Sequence, residues 1–357
     1  MMGMSLKRFI ACFIALILCI SLFSGCGSSV ENKGNDNDKD IIQITDTALV
    51  VNGENITASK FRFYIFNAAY KYATLSGKVQ VGINNINWNE KDEASGKIIA
   101  DIIKEDAREA AISDVLMSQN GADYGLNVEE EMKQNAVAIE KAIADKGQDF
   151  FDTRILAMGI TSVEDYEYLI GLTIMAEKVQ GDFDENPDKY ITDEMDLTEF
   201  KSDENVTAQH ILIKSNSTIT AEPQTTIKEV YKKAKAGEDF YSLMETYNED
   251  TAETKAGYYF RRGIMSVEFE EAAFALNLNE ISDVVRTEHG YHIIKRLPGM
   301  GELINLWKST ALINENSNVL NGISVEEVIN SATNAATKLK TEYSLSNTQT
   351  EAKTSGN

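Results

Sequence analysis

The 357 residues carry 56 acids against 34 bases, a net charge of −22, with 43% hydrophobic and 25% charged side chains. That is the composition of a globular chain long enough for two or three domains. The acidic balance excludes nucleic acid as a partner, since phosphate binding needs clustered cations; it reads as a solvated surface or, more sharply, as one that attracts basic clients or divalent cations.

Lys7 and Arg8 form a short positive region, and Phe9 to Phe23 is a mostly apolar run of 15 residues. The run suits the core of a signal peptide and is short for a membrane span. It ends in Ser24-Gly25-Cys26, and small residues before a cysteine resemble a bacterial lipobox, where cleavage precedes the cysteine and its thiol takes a diacylglycerol. Phe23 stands where that pattern prefers Leu. Cys12 and Cys19 lie inside the apolar run, so processing would leave Cys26 alone and no disulfide framework. A plain secretory signal and an uncleaved anchor are the alternatives. Residues 1–25 are therefore expected as a lipoprotein signal peptide with Cys26 as the lipidation site, and 26–45 as a flexible tether, because Gly27 to Asp40 holds almost nothing apolar.

Residues 48–56 read as a short strand leading into an Asn52-Gly53 turn. Thr57 is placed to cap a helix to about Leu75. Helical stretches follow near Ile98–Gln119, Val128–Asp145 and Val163–Val179, the last with a capping-box-like Ser162 and Asp165; breaks are expected at Asn120-Gly121, Gly147 and Gly159. Residues 46–202 thus read as one mainly α-helical domain.

From Asn205 the pattern changes. Val206–Lys214 reads as a strand and Gln224–Ala236 as an amphipathic helix with Gly237 as its C-cap. A short helix Phe240–Tyr247, a strand Tyr258–Arg261, a helix Val267–Leu276 and strands Val284–Arg286 and Tyr291–Leu297 around a His289-Gly290 turn complete an α+β domain over 203–299, a small antiparallel sheet with surrounding helices. Residues 300–343 include a helix near Val325–Tyr343, and 344–357 read as a disordered polar tail.

The chain has three histidines, His210, His289 and His292, all in the α+β segment. Read as residues alone they allow several roles. His210 and His292 could be satisfied core histidines joining two strands. A metal site with His289 is conceivable, but neither cysteine nor a helical His-Glu spacing supports it. Met265, Phe269 and Phe274 sit at the spacing of an ordinary helix core, and Asp250 could be a turn residue.

Taken together, residues 206–299 resemble a parvulin-type peptidyl-prolyl isomerase. Ala208-Gln-His-Ile-Leu-Ile-Lys214 resembles the family's first strand, Gly237-Glu-Asp-Phe240 its turn into the second helix, Gly263 to Phe274 its substrate-pocket helix, and Ile281-Ser282 with Thr287 to Lys295 its closing strands. The resemblance implies that His210, His292, Asp250 and Thr287 form the catalytic group, that Met265 and Phe269 floor a proline pocket, and that Phe274 forms its back wall; His289 stands where relatives carry a smaller polar residue and is grouped with substrate binding. It further implies that Met265 and Phe269 matter to activity while the fold tolerates their loss, and that the histidines matter to both. Thr254-Lys-Ala-Gly-Tyr-Tyr-Phe260 departs from the family's Gly-Gly-Asp-Leu-Gly, so that Tyr258 replaces a small residue near the rim.

A lipobox, a helical domain and one parvulin domain resemble the PrsA-like foldase lipoproteins, whose chaperone domain begins much as Val51 to Lys60 does and receives a C-terminal helix. The resemblance implies an isomerase that needs no cofactor, acts on newly secreted or unfolded proteins containing proline, and is held on the outer face of the membrane by lipid. A non-enzymatic holdase that keeps the fold only for peptide binding is the alternative; a solute-binding lipoprotein is disfavoured, since no repeated βαβ lobes are evident. The sequence does not fix the oligomeric state.

Overall fold

The computed structural model describes residues 42–192, 195–203, 205–251 and 255–354, and divides them into two compact units, residues 177–310 and a unit built from 42–176 with 311–354. The signal peptide, Cys26 and most of the expected tether lie outside the described residues. Among the described residues no helix is long and apolar enough to cross a membrane.

The flanking unit opens with strands β1 (Thr47–Val51) and β2 (Glu54–Thr57). Asn52 and Gly53 both take positive φ, 49° and 88°, the turn that matches the twist of a two-residue hairpin. Helix α1 (Ala58–Leu75) starts where the sequence predicts, with the Thr57 hydroxyl accepting the Lys60 N–H. Helices α2 (Ile99–Asp123), α3 (Glu129–Lys146), α4 (Gln148–Leu156) and α5 (Val163–Glu185) follow. The Ser162 hydroxyl accepts the Asp165 N–H at 3.1 Å, while the Asp165 carboxylate turns to the Ser59 hydroxyl.

The expected break at Asn120-Gly121 is absent. Asn120 Nδ2 donates to the Leu116 carbonyl at 2.8 Å and Gly121 is buried inside α2, so the helix runs on to Asp123 and turns at Gly125 with φ 80°. The amide bonds along the helix instead of competing with it, and burial makes a residue without a side chain useful.

The central unit contains α6 (Pro187–Tyr190), β3 (Asn205–Lys214), α7 (Pro223–Lys235), α8 (Phe240–Tyr247), β4 (Tyr258–Arg261), α9 (Val267–Ala275), β5 (Val285–Arg286), β6 (Gly290–Leu297) and α10 (Met300–Thr310). Its antiparallel sheet runs β4-β3-β6-β5. Strand β3 is buried from Val206 to Ile213 because both faces are covered. Side chains alternate across a strand, so Ile211, Ile213 and Ile293 pack under α7 and α8, whereas Val206, Ala208 and Ile294 pack under α9 with Phe260, Phe269 and Phe274. His210, Leu212 and His292 share the α9 face by the same parity.

This unit extends beyond residues 203–299, and Arg296 gives the reason. It is fully buried on the α9 face, donating to the Phe274 and Leu276 carbonyls at 3.3 Å and to the Ser202 carbonyl. The buried Glu302 stands 3.9 Å away and accepts the Ser202 and Gly299 N–H groups. Segments on both sides of the α+β pattern are thus tied to it by a buried charge pair that must stay matched.

The chain then returns to the flanking unit. Strand β7 (Ile313–Glu315) pairs antiparallel with β1, α11 (Ser317–Gly322) follows, and α12 (Val325–Thr354) packs on α1 and α4. Helix α12 continues to Thr354, past the Tyr343 end and into the segment expected as a disordered tail, since no Gly or Pro interrupts it.

Candidate functional site

A cavity of about 660 Å³ opens on the α9 face of the central sheet, lined by His210, Leu212, Asp250, Tyr258, Met265, Phe269 and His292, with Lys214, Asn216, Ile264, Ser266, Glu288 and His289 around them. The β3–β6 register creates it. Leu212 pairs with His292 and Ile294 with His210, which makes the two imidazoles diagonal neighbours on one face. Their centroids lie 5.3 Å apart. Phe269, in the first turns of α9, stands edge-on to both, at 5.3 Å from His210 and 5.4 Å from His292.

The strand-to-turn contacts hold the rest. Thr287 Oγ1 and His292 Nε2 are hydrogen-bonded at 2.8 Å, and the same hydroxyl oxygen accepts the His289 N–H at 3.2 Å. Gly290 lies against β3 so closely that a Cβ there would come 2.3 Å from the Ile213 carbonyl; only glycine lets β6 begin at that point. Asp250 leaves α8 through a turn in which Asn248 Oδ1 accepts the Asp250 N–H at 3.1 Å and the Leu212 N–H at 2.9 Å. Its Oδ2 stands 3.6 Å from His210 Nε2 and accepts the Tyr258 hydroxyl at 3.1 Å.

Burial governs the electrostatics. It pushes His210 down to about 4, against the opposing pull of Asp250. It pushes His292 down to about 3, helped by the neighbouring His210 and His289. Both imidazoles are neutral at physiological pH. The cavity therefore offers an apolar floor, two neutral imidazoles, one of them hydrogen-bonded to Thr287, and one partly exposed carboxylate. Among the described residues no group of three His, Cys, Asp or Glu side chains is placed to hold a metal ion.

The fold brings His210, Asp250, His292, Met265, Phe269 and His289 to this cavity, with Thr287 buried behind His292. Phe274 does not reach the lining. It is buried against Phe260, with the Arg262 guanidinium 4.0 Å above its ring. Five helical positions turn a side chain by about 140°, so Phe274 cannot share the Phe269 direction. Phe269 itself is only 4% exposed and belongs to the core as much as to the cavity, so its truncation is expected to cost stability as well as activity. Leu212, Ile264 and Ser266 escape the sequence reading. Alternation along β3 from His210 points to Leu212, and the other two fall within the Gly263–Phe274 segment that resembles the family's pocket helix without being singled out there. Tyr258, expected only as a larger residue in place of a small one near the rim, stacks on His210 and bonds Asp250.

Residues 195–297 match the family described as the PPIC-type PPIase domain. The foldase protein PrsA of Caldanaerobacter subterraneus subsp. tengcongensis is 30% identical over 299 residues, which cover 81% of this chain and 82% of that one. The foldase protein PrsA of Oceanobacillus iheyensis is 43% identical over 113 residues, 30% of this chain and 35% of that one. Among solved structures, the parvulin NmPin of Nitrosopumilus maritimus is 32% identical, covering 28% of this chain and all of that one with a TM-score of 0.23. With a domain match across the cavity-bearing unit and a foldase relative aligned over most of both chains, the chain belongs to the PrsA family of foldases and is a peptidyl-prolyl cis-trans isomerase.

Proposed function

We propose that the cavity on the α9 face is the isomerase site, that newly secreted or unfolded proteins containing proline are its substrates, and that the enzyme works outside the cytoplasmic membrane on a lipid anchor at Cys26. The observation that carries the first part is the convergence of a half-buried Met265 and the ring of Phe269 with the neutral His210–His292 pair and Asp250 around one opening.

The chemistry suits that convergence. A prolyl amide resists rotation by about 18–20 kcal/mol because its C–N bond has double-bond character. No bond need break, so stabilising the twisted amide suffices. That state has lost resonance and carries less charge on its oxygen, and a water-poor apolar floor favours it. Met265 and Phe269 would hold the proline ring. His210, His292 and Thr287 would form a preorganised dipolar wall, and Asp250 would set the field at the carbonyl. His289, exposed at the mouth, would meet the flanking chain.

Titration with a short proline peptide, followed through the Met265 methyl and the imidazole signals, tests the location. Shifts concentrated at Met265, His210 and His292 are expected; shifts confined to the flanking unit would reject it. The sequence of Lys7 to Cys26 supports the anchor. Mass analysis of membrane-bound protein is expected to find diacylglyceryl Cys26, and an intact 1–25 segment would reject that part. The helical flanking unit is proposed to bind unfolded chains, a role tested by its ability, as part of the chain, to suppress client aggregation when the isomerase site is disabled.

A further inference from the structure

The isomerase reading gives Tyr258 no task, yet its placement is specific. It opens β4 paired with Ala208, two residues from His210 on the same face of β3. Gly257 before it has φ 78°, and a Cβ there would come 2.6 Å from the Ala208 carbonyl. The chain therefore enters β4 pressed onto β3, in a conformation and at a distance that suit glycine. That entry sets the Tyr258 ring beside His210, with planes 21° apart and centroids at 5.8 Å. The hydroxyl then reaches Asp250 Oδ2 at 3.1 Å, the oxygen that also faces His210 Nε2 at 3.6 Å.

We infer that Tyr258 is a positioning residue for prolyl isomerisation: its hydroxyl orients the Asp250 carboxylate on the His210 side of the cavity, and its ring covers one face of that imidazole. The inference rests on the reading of Asp250 as part of the isomerase site. Backbone contacts fix where Asp250 starts, but its side-chain torsions still have to be chosen. A neutral His210 offers no full positive charge to choose them, whereas a phenol donating to a carboxylate makes a charge-assisted hydrogen bond with a definite direction. Tyr258 thus acts through Asp250, and its hydroxyl contributes to turnover more than to holding the proline ring.

The test is a double-mutant cycle on the chain from Gly27 onward, with Tyr258→Phe, Asp250→Asn and both together, measuring kcat and KM on a proline peptide. Tyr258→Phe keeps the stacked ring, and thermal unfolding verifies that it folds; Tyr258→Leu supplies a second variant without the hydroxyl. The expected result is a loss in kcat of about fivefold for Tyr258→Phe with KM little changed, the size of one hydrogen bond. In the Asp250→Asn background the same substitution should cause no further loss. A Tyr258→Phe enzyme as fast as the parent overturns the inference, and so does a loss that multiplies fully with that of Asp250→Asn. Both leave the Asp250 reading standing. An Asp250→Asn enzyme at parental rate removes that reading and the inference together.

Discussion

Truncating Phe269 to alanine should damage the fold and the activity together. The ring is 4% exposed and stands edge-on to His210 and His292 and 5.9 Å from Phe260. Removing a buried phenylalanine side chain costs about 3–5 kcal/mol, from lost transfer energy and from the void it leaves. Domains have only about 5–15 kcal/mol in total. For a unit of this size the cost corresponds to a fall in its unfolding temperature of roughly 10–20 °C. Met265 is half-buried on the cavity wall, so Met265→Ala should cost about 1 kcal/mol while still lowering the rate. Calorimetry on the two variants, with isomerisation measured below both transitions, separates the effects. If Phe269→Ala unfolds within about 1 kcal/mol of the parent, the ring is a cavity lining only and the packing argument fails.

Arg296→Met should destabilise the central unit by about 3–5 kcal/mol, because Glu302 stays buried without its cation and the Phe274 and Leu276 carbonyls lose their donor; adding Glu302→Gln should restore part of the loss, and equal denaturation midpoints for parent and single variant would show the pair to be immaterial. Stability should also fall with acid. His210 and His292 titrate at about 4 and about 3 in the fold and near 6.5 when unfolded. Below that value the unfolded chain binds more protons, so stability is fully present above about pH 6.5 and drains away as pH falls toward 3–4. The loss between pH 7 and 5 is on the order of 2 kcal/mol for each histidine. Urea midpoints unchanged across that interval would show that the imidazoles are hydrated.

Much of the central unit was legible because its signals are local. Phe240–Tyr247 and Tyr258–Arg261 begin and end where the residues suggest, since Asp239 caps the first and the second alternates between covered positions, Tyr258 and Phe260, and exposed ones, Tyr259 and Arg261. His210 and His292 could each be placed on a strand from the apolar runs around them, while their pairing at one site was implied only by the family resemblance. What the residues do not announce depends on distant partners. Strand β7 is three residues long and exists through its pairing with β1. Helix α4 is short, and its Gln148–Leu156 sequence has weak amphipathic order. Arg296 looks like a surface cation in a strand until Ser202, Phe274 and Glu302 close around it. At the site, the same limit applies to Tyr258: its residue type suggests bulk, and only the turn that brings Asp250 back to β3 reveals a hydrogen bond. Phe274 lies outside the cavity lining for a geometric reason, since its apolar character fits a pocket wall while its helical phase turns it toward Phe260.

Whether the cavity around His210, Asp250, Met265 and His292 catalyses rotation of prolyl bonds is decided by cis–trans exchange of a proline peptide, measured by NMR with the chain from Gly27 onward. Exchange much faster than the uncatalysed tens to hundreds of seconds is expected, slowed by Met265→Ala and by Asp250→Asn in protein that remains folded. Folded protein that binds the peptide and leaves exchange at the uncatalysed rate would contradict catalysis at that cavity.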